Sequence, residues 1–389
     1  MRALVAALLL VLAPAARAGE DPLASETVAV KAVPAPVPAD PAAAIWKDAP
    51  GLSVPLAPQR SIRLHDRKAN EALAAAGLRS ATVRAVTDGK DLAVLVEWDD
   101  PTEDRAGDEI DVFGDAAALE IPLRYGAGQR LPYVGMGDDE MPVALYLQRA
   151  GTSGSLAREA VAKGFGSTTR ADLGGARLAM SHGQGRWRAV FVRPLAAPAH
   201  ALEGGLVPFA VAVWDGAGAE RGGNKALSGW KLLRLPGRPV DAAYAAELAW
   251  GRRPEDQGDL ARGKQLVGSM CAACHLAGDR RIARPGIAPD LSAIGAISTP
   301  AYLRDSIRAP GAVVVPSPNP QQHQDRAKPP DANGAYPRAE AFVWSRRDAS
   351  GKLVSKMPAY ASLPEADVKA MVTYLMTLGA GQDGAGRKP

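Results

Sequence analysis

Short, mostly apolar runs typical of β-strands fill the first two-thirds of the chain. The clearest are residues 81–86 and 91–98, separated by Asp88-Gly89, a pattern that predicts a β-hairpin. Similar runs, punctuated by Gly and Pro, occur at 117–123, 143–149, 185–193, 209–214 and 230–235. Because no long amphipathic helix lies between these runs, the pattern predicts a β-sandwich.

The last third of the chain has a helical pattern instead. Apolar residues recur on one helix face at positions 368, 371, 372, 375 and 376, and Gly379 follows them. Ser362-Leu363-Pro364-Glu365 precedes this helix and predicts a capping box with Pro in the first turn. Further helical patterns begin near Asp259 and Thr299. We therefore predict that this region is all-α.

The pentapeptide Cys271-Ala272-Ala273-Cys274-His275 contains both cysteines of the 389-residue chain. In a C-x-x-C-H motif the two thiols form thioethers with the haem vinyl groups, and the histidine supplies an axial nitrogen to the iron. A thioredoxin-like redox pair needs a βαβ context, and a structural zinc site needs two more ligands. The motif therefore predicts one covalent haem c, attached by Cys271 and Cys274, with His275 as an iron ligand.

An electron-transfer haem usually has a second axial ligand. The candidates are His323, in a Pro-rich and Gln-rich stretch, and four methionines. Met270 is too close to the attachment site to reach the opposite haem face, while Met371 and Met376 lie on the apolar stripe of the last helix. Met357 lies in a loop closed by a proline, so we predict Met357 as the second ligand of the haem c iron.

The chain opens with the features of a secretory signal peptide. Arg2 is followed by an apolar run over residues 3–13, too short to span a bilayer, and by Ala16-Arg17-Ala18 before Gly19. We expect cleavage near Ala18, export to the periplasm and no transmembrane segment in the mature chain. Removing Arg2 and Arg17 lowers the net charge from +4 to about +2. Basic residues are interspersed with acids, so no nucleic-acid partner is expected.

The C-terminal pattern resembles class I cytochrome c over roughly residues 257–380. The resemblance rests on Gly263, the C-x-x-C-H pentapeptide, Pro289-x-Leu291, Met357-Pro358 and Tyr374. It implies that the Pro289 carbonyl orients the His275 imidazole. It also implies that the first and last helices cross where Gly263 and Val267 meet Tyr374. His/Met ligation raises the reduction potential relative to bis-His ligation.

Five stretches in the first two-thirds stand out from plain scaffold: 45–46, 115–122, 133–140, 214–216 and 221–230. Over about residues 40–236 they resemble the haem b-binding gamma subunit of ethylbenzene dehydrogenase, dimethylsulfide dehydrogenase and related periplasmic molybdenum enzymes. In that family a β-sandwich holds one non-covalent haem b between a Met and a Lys. The resemblance implies that Met136, between two glycines, and Lys225, just before Ser228-Gly229-Trp230, bind the haem b iron.

This ligand pair is chemically reasonable. An amine binds iron only when deprotonated, and burial in an apolar pocket lowers the pKa of a lysine. Glycines beside Met136 allow the backbone to approach the macrocycle closely. Three histidines in this region are rival ligands: His65, His182 and His200. Of these, His182 is the second choice, although it is predicted to lie in an exposed turn.

These patterns divide the chain into six parts. We predict a signal peptide at 1–18, a Pro/Ala-rich arm at 19–45, a β-sandwich haem b-binding domain at 46–236, a linker at 237–256, an all-α class I cytochrome c domain at 257–380 and a disordered tail at 381–389. A Pro-rich insert at about 311–345 departs from the cytochrome family. It is consistent with a lid over the haem edge, a docking loop or a disordered segment.

The sequence contains no nucleophile elbow, phosphate loop or zinc triad. The leading hypothesis is a periplasmic electron-transfer protein with haem b and haem c rather than an enzyme. Its implied partners are the iron–sulfur and molybdenum subunits of an oxidoreductase, and a soluble cytochrome or a membrane quinol-oxidising complex. An alternative is a single-haem cytochrome c fused to a non-haem β-sandwich that binds carbohydrate or protein. A third is a peroxidase-like enzyme with a five-coordinate haem.

Overall fold

The structure is a computed structural model that describes residues 21–379 except 35, 61–66, 110, 155, 278–287, 315–328, 330, 331 and 333–343. The signal peptide, the C-terminal tail, His65, His323 and most of the 311–345 insert lie outside the described residues. Within the described part of the chain, no helix is long and apolar enough to cross a membrane.

The first part of the chain is a large sheet that folds over on itself. Its strands are β1 (Thr27–Ala29), β2 (Lys31–Ala32), β3 (Gly51–Pro58), β4 (Arg79–Thr87), β5 (Asp91–Asp99), β6 (Ala116–Pro122), β7 (Val143–Arg149), β8 (Leu156–Ala162), β9 (Thr169–Arg170), β10 (Arg177–Gly183), β11 (Arg186–Pro194), β14 (Leu206–Trp214), β15 (Ala226–Leu227) and β16 (Lys231–Arg234). Two small separate ladders pair β12 (Ala196–Ala197) with β13 (His200–Ala201), and β17 (Ser345–Arg347) with β18 (Leu353–Ser355).

The strand order is β10-β11-β5-β4-β3-β15-β14-β6-β7-β8-β9. All neighbours on this path are antiparallel, and the short pairing of β3 with β15 joins two layers of the sandwich. The main core lies between the layers, where Val83 and Val94 of the first meet Leu119 and Val211 of the second. The predicted β-sandwich is therefore confirmed, as is the β4–β5 hairpin, whose turn contains Gly89 at a φ of 87°.

The described part of the segment predicted as a Pro/Ala-rich arm, residues 19–45, pairs with strands of the sandwich. Strand β1 pairs in parallel with β16, and β2 pairs in parallel with β4. Val28, Val30 and Val37 are buried. Since the Ala/Pro/Val composition of this segment supplies apolar side chains as well as prolines, it covers the sheet edge instead of extending into solvent.

The remainder of the chain is mainly helical and also contains the small β17–β18 ladder. Its helices are α2 (Ala242–Leu248), α3 (Leu260–Met270), α4 (Ile294–Ile297), α5 (Pro300–Arg308) and α6 (Glu365–Thr377), while α1 (Arg67–Ala75) belongs to the β-sandwich region. Three 3₁₀ turns occur at Ala24–Glu26, Ala44–Trp46 and Pro254–Asp256. Asp259 caps α3 by accepting from the Arg262 N–H, and Thr299 caps α5 by accepting from the Tyr302 N–H.

Helices α3 and α6 cross in close contact. A Cβ at Gly263 would lie 1.9 Å from the Ala370 carbonyl oxygen and 3.0 Å from the Tyr374 Cβ. Only glycine fits this crossing, at the position that the cytochrome c resemblance implies. The predicted capping box of α6 is wrong. The helix begins at Glu365 with no side-chain cap, and the Glu365 carboxylate pairs with Arg308 of α5 instead.

The two regions are docked against each other. The Gly229 N–H donates to the Ala296 carbonyl at 3.0 Å, and the Tyr133 and Tyr302 rings lie 6.4 Å apart. The predicted linker is part of this packing, since α2 places Tyr244 in a buried cluster with Leu206 and Leu232 of the sandwich.

Candidate functional site

The first candidate site is a cavity of about 1080 Å³ between the helical region and the sandwich, here termed the interdomain cavity. Cys271, Cys274, His275 and Met357 all line it. Helix α3 ends at Met270, and the backbone then turns because the N–H groups of Cys274 and His275 both donate to the Cys271 carbonyl, at 3.1 and 2.9 Å. This turn brings the two thiols and the imidazole to one cavity wall.

The His275 imidazole is fixed in one tautomer. Its Nδ1 lies 2.8 Å from the carbonyl oxygen of Pro289. Because a carbonyl can only accept, Nδ1 carries the proton and Nε2 keeps its lone pair. The ring is 8% exposed, and burial lowers the His275 pKa, with the Pro289 hydrogen bond opposing it. Burial favours the neutral ring, and the tautomer fixed by Pro289 leaves Nε2 able to bind a metal.

The buried Cys271 thiol is poorly suited to free redox chemistry. Burial raises the pKa of the Cys271 thiol to about 11, so this thiol is protonated at neutral pH. Cys274 is exposed at the mouth of the turn. A protonated thiol on an apolar wall has little nucleophilicity of its own, and a thioether bond removes its last polar hydrogen.

Met357 reaches the same cavity from a different part of the chain. It follows β18, and its N–H donates to the Ser355 Oγ at 3.1 Å. Its side chain is half-buried. Met270 also lines the interdomain cavity, whereas Met371 is fully buried in the helical core. The structure therefore brings Met357 to the cavity that contains His275.

The second candidate site is a cavity of about 560 Å³ on the outer face of the second sheet layer, here termed the sheet cavity. That volume lies within the range of roughly 300 to 1,000 Å³ typical of ligand pockets. Alternate residues of neighbouring strands form its floor: Ala118 of β6, Leu145 and Leu147 of β7, Ala160 of β8 and Ala210 and Ala212 of β14. Four of these six residues are alanine, so the floor leaves room for a flat apolar molecule.

Met136 faces the sheet cavity from a strained turn. Its φ is 81°, a region that non-glycine residues rarely occupy. The turn is held by the Gly137 N–H, which donates to Tyr133, and by the Gly164 N–H, which donates to Met136, each at 2.8 Å. A Cβ at Gly135 would lie 2.5 Å from the Tyr133 ring. The surroundings impose this conformation, and such strain at a cavity wall favours a ligand-binding role for Met136.

Lys225 is buried in the same cavity, with 6% of its surface exposed. Its Nζ lies 5.0 Å from the centre of the Trp214 ring. Burial lowers the Lys225 pKa, and the nearby Glu120 carboxylate opposes this shift. Removal from water therefore makes the neutral amine, which can bind iron, more accessible than it is in solvent.

Sequence reasoning missed Glu120, a buried carboxyl group on the floor of the sheet cavity. Burial raises its pKa, while Lys225 and the Met136 N–H, which donates to it, oppose that shift. Its Oε1 has no hydrogen-bond partner among the described residues. Glu120 thus links the two predicted ligands. Its signal in the sequence is a carboxylate on the strand face that otherwise carries Ala116 and Ala118.

The rival histidines lie elsewhere. His182 is half-buried, not exposed as predicted, and its Nε2 lies 2.9 Å from the Asp100 carbonyl. The buried His200 lies 3.0 Å from Arg193 and 2.9 Å from the Pro122 carbonyl. Neither lines the sheet cavity or the interdomain cavity.

Among the residues that the structure describes, one group of carboxylates has ligand atoms close enough to hold a metal ion. Atoms of Asp100, Asp115 and Asp215 lie within 4.8 Å of one another. Asp115, however, already accepts from the N–H groups of Asp104 and Gly216 and from the Trp187 indole, at 2.7 to 2.8 Å. These hydrogen bonds indicate a structural role for Asp115, which connects neighbouring loops.

The two cavities are separated by a thin wall. Val134 and Leu227 line both of them. The wall is clamped by the Trp230 indole N–H, which donates to the Pro132 carbonyl at 2.8 Å. The segment carrying Lys225 is further held by the Gln59 N–H, which donates to the Lys225 carbonyl at 2.8 Å.

The residues fit the two implied haems. The interdomain cavity has two thiols, an imidazole with its Nε2 available and a thioether. The sheet cavity has a flat floor rich in alanine, a methionine with positive φ and the buried amine of Lys225. It also has a carboxylate oxygen of Glu120 without a hydrogen-bond partner among the described residues.

Comparison with known proteins agrees with both resemblances. The ethylbenzene dehydrogenase family matches residues 43–179, and the cytochrome c family matches residues 260–379. The first match implies a haem b and the second a covalent haem c. Both resemblances drawn from the sequence, and the predicted fold class, are therefore confirmed.

Individual relatives match the first part of the chain. The chlorate reductase subunit gamma of Ideonella dechloratans is 34% identical over 231 residues, which cover 57% of this chain and 90% of the relative. The dimethylsulfide dehydrogenase subunit gamma of Rhodovulum sulfidophilum is 28% identical and covered to 82%. Among solved structures, a family 9 carbohydrate-binding module from Caldicellulosiruptor kristjanssonii aligns with a TM-score of 0.31 at 10% identity, over 55% of this chain and 98% of that one.

Proposed function

The chain belongs to the family of the chlorate reductase gamma subunit, the electron-transfer haem component of an oxidoreductase, and on that premise we propose that it is a periplasmic dihaem protein that passes electrons between one haem b and one haem c. The observation that carries the proposal is the wall of Val134 and Leu227 shared by the sheet cavity and the interdomain cavity. When bound, each haem supplies an iron that gains or loses one electron.

In the interdomain cavity, Cys271 and Cys274 attach haem c and His275 binds its iron through Nε2. The Pro289 carbonyl holds the ring in the required tautomer and orientation. Met357 would supply the second iron ligand. A thioether together with an imidazole would favour a higher potential than two imidazoles.

In the sheet cavity, Lys225 and Met136 bind the haem b iron. The alanine floor admits the macrocycle, and the Trp230 clamp and the docked helical region keep water from the wall between the cavities. Glu120 accepts a hydrogen bond from the Met136 N–H and lies next to Lys225, so it positions both ligands and accepts the proton that Lys225 must lose.

The docked arrangement makes electron transfer intramolecular. A hydrogen bond from Gly229 to Ala296 and the packing of Tyr133 against Tyr302 hold the two regions in one relative position. A fixed short separation replaces a collision between two proteins. The haem b domain then exchanges electrons with the iron–sulfur and molybdenum subunits of an oxidoreductase. The haem c domain exchanges them with a soluble cytochrome or a membrane quinol-oxidising complex.

The test is haem stoichiometry. The full chain is purified from a host competent in cytochrome c maturation and extracted with acidified acetone, and pyridine haemochrome spectra are taken of both fractions. We expect one haem in the acetone and one on the polypeptide. If all haem stays on the polypeptide at one per chain, the sandwich is a non-haem binding module. Carbon monoxide binding to the native protein would instead indicate an open iron site.

Ligand variants test the residues. Met136→Ala and Lys225→Ala should each lower the haem b content and shift its Soret band, because each removes an iron ligand. Met357→Ala should leave haem c attached but lose the absorption of thioether-ligated iron. Matched controls are Met141→Ala and Lys231→Ala, which replace buried residues that line neither cavity. Retention of a native haem b spectrum in Lys225→Ala would exclude the amine ligand.

A further inference from the structure

Two arginines line the sheet cavity at one end of its floor. Arg149 lies at the end of β7 and Arg158 on the neighbouring β8. In the antiparallel register Arg149 pairs with Leu156, and Arg158 pairs with Leu147. Alternation along each strand places Arg149 and Arg158 on the same face of the sheet, on the side that carries the alanine floor.

Within the described part of the chain, neither guanidinium has a carboxylate partner. Among the described residues, no carboxylate forms an ion pair or side-chain hydrogen bond with Arg149 or Arg158. Arg149 is half-buried, and its pKa is lowered first by burial and then by the like charge of Arg158. Arg158 is exposed, so the cost of an unpaired charge falls mainly on the half-buried Arg149, which also has the like charge of Arg158 as a diagonal neighbour.

The other sheet layer shows how the same fold treats arginines that need no outside ligand. There, Arg84 of β4 and Arg188 of β11 both pair with Glu97 of β5, at 3.3 and 3.0 Å. The sheet cavity lacks such a carboxylate between Arg149 and Arg158. A ligand with carboxylates at this end of the cavity would supply a negative charge to the pair.

The position of the pair fits one edge of a flat ligand. Trp214, which lies beneath the Lys225 amine, pairs with Ala116, and Ala116 pairs with Arg149 on the next strand. Two strand spacings separate Trp214 from Arg149, on the order of 10 Å. Between them the middle strand contributes Ala116, and Ala118 follows on the same face. The cavity thus offers a metal ligand at one end and two cations at the other.

We infer that Arg149 and Arg158 bind the two propionate carboxylates of haem b and so set the orientation of the macrocycle in the sheet cavity. The inference rests on the proposed function. Planar guanidinium groups bind carboxylates through paired hydrogen bonds, which strengthen as the site is removed from water. The propionates would remove the repulsion between the two arginines, so ligand and side chains stabilise each other.

The experiment compares two porphyrins that differ only in charge. Haem b is removed from the full chain with acidified butanone, and the protein is returned to neutral pH with haem c still attached. It is then titrated with protohaem and with protohaem dimethyl ester, in which both carboxylates are methylated. We expect protohaem to bind the unsubstituted chain more tightly by roughly tenfold or more, the effect expected from charge-assisted hydrogen bonds.

The matched variant is Arg149→Gln/Arg158→Gln. Its preference for protohaem over the ester should fall to about twofold or less, because the loss of both guanidiniums affects only the charged ligand. Arg149→Lys keeps a charge without the planar fork and should retain part of the preference. Arg170→Gln, on the adjacent β9 and outside the sheet cavity, should retain all of it.

The outcomes separate the two proposals. If neither porphyrin binds the unsubstituted chain, the proposed haem b site is wrong. If both bind equally well, haem b stands and the arginine inference is overturned. If the double variant still prefers protohaem, other residues hold the propionates and the inference is again overturned. Should the double variant not fold, as judged by circular dichroism, Arg158→Gln at its exposed position provides the same comparison, with an expected fall in preference of roughly threefold or more.

Discussion

The two cavities are built from the chain in different ways. In the interdomain cavity, three of the four predicted haem contacts fall within the five residues from Cys271 to His275. In the sheet cavity, Glu120, Met136 and Lys225 come from segments far apart in the sequence and meet only when the sandwich has formed. A local turn specifies the first site, whereas the packing of a whole domain specifies the second.

This difference has an energetic consequence. A covalently attached haem stays with the chain even when the surrounding fold loosens, so the interdomain cavity need only orient it. A non-covalent haem is retained by apolar burial, iron ligation and polar contacts, each of which requires the folded sheet. We therefore expect substitutions that destabilise the sandwich to release haem b. Substitutions that destabilise the helical region should change the environment of haem c without releasing it.

The largest expected effect comes from the crossing of α3 and α6. In Gly263→Ala the new Cβ would lie 1.9 Å from the Ala370 carbonyl oxygen, and backbone at that distance must move. We expect the helical region to lose about 3 kcal/mol or more of its unfolding free energy, the upper range for overpacking a core. Denaturant unfolding followed at the haem c Soret band measures this.

The control for this variant lies in the same region. A Cβ at Gly311 meets no atom within 4 Å, so Gly311→Ala should change stability by less than about 1 kcal/mol. The haem b content should be normal in both variants. Loss of haem b from Gly263→Ala would show that the two cavities depend on each other for stability, contrary to the expectation that each is stabilised separately.

The sequence also predicted the two cavities to different extents. The C-x-x-C-H motif predicts its site directly, because the residues of the motif lie within one turn. The Met136 and Lys225 predictions needed a family resemblance, since a single methionine or lysine carries no local signal. Glu120, Arg149 and Arg158 were missed, because their importance depends on which strand face meets the cavity and which carboxylates are absent nearby.

The fold shows the same limit. Predicted strands such as 143–149 and 209–214 lie within β7 and β14. Strand β8 was not predicted, because its sequence, Leu-Ala-Arg-Glu-Ala-Val-Ala, consists mostly of good helix formers. Pairing with β7 and the exposure of its first residues override that local preference. The arm and the linker were likewise assigned from composition, and tertiary contacts decided their structure.

A second effect distinguishes the sandwich from the helical region by its response to acid. His200 is buried, its Nε2–H donates to the Pro122 carbonyl, and its Nδ1 accepts from Arg193. Burial and the Arg193 charge lower the His200 pKa from 6.5 to about 4. The folded state therefore favours the neutral ring, and this stability is fully present above pH 6.5 and is lost as the pH falls toward 4.

The expected loss over that pH interval is about 3 kcal/mol. It should appear as a fall in the denaturant midpoint of the sandwich and as release of haem b, with haem c still attached. His200→Gln should be less stable at neutral pH but should lose most of this pH dependence. His182→Gln, at a half-buried histidine outside both cavities, should keep it. An unchanged acid profile in His200→Gln would assign the acid sensitivity to other groups.

The smallest expected effect concerns the contact between the two regions. Arg60 of the sandwich lies 3.5 Å from Asp290, next to the proline that supports His275, and their side chains are 29% and 23% exposed. A partly exposed ion pair of this kind contributes roughly 0.5 kcal/mol because solvent screens it. A double-mutant cycle with Arg60→Gln and Asp290→Asn should give a coupling energy of about that size, decreasing in about 1 M salt.

Asparagine at 290 can still accept from the Ser292 N–H, so the local turn is kept. A coupling of about 2 kcal/mol or more that resists salt would mean that this pair is desolvated by the docking. The two cavities would then form one energetic unit rather than two neighbours with separate stabilities.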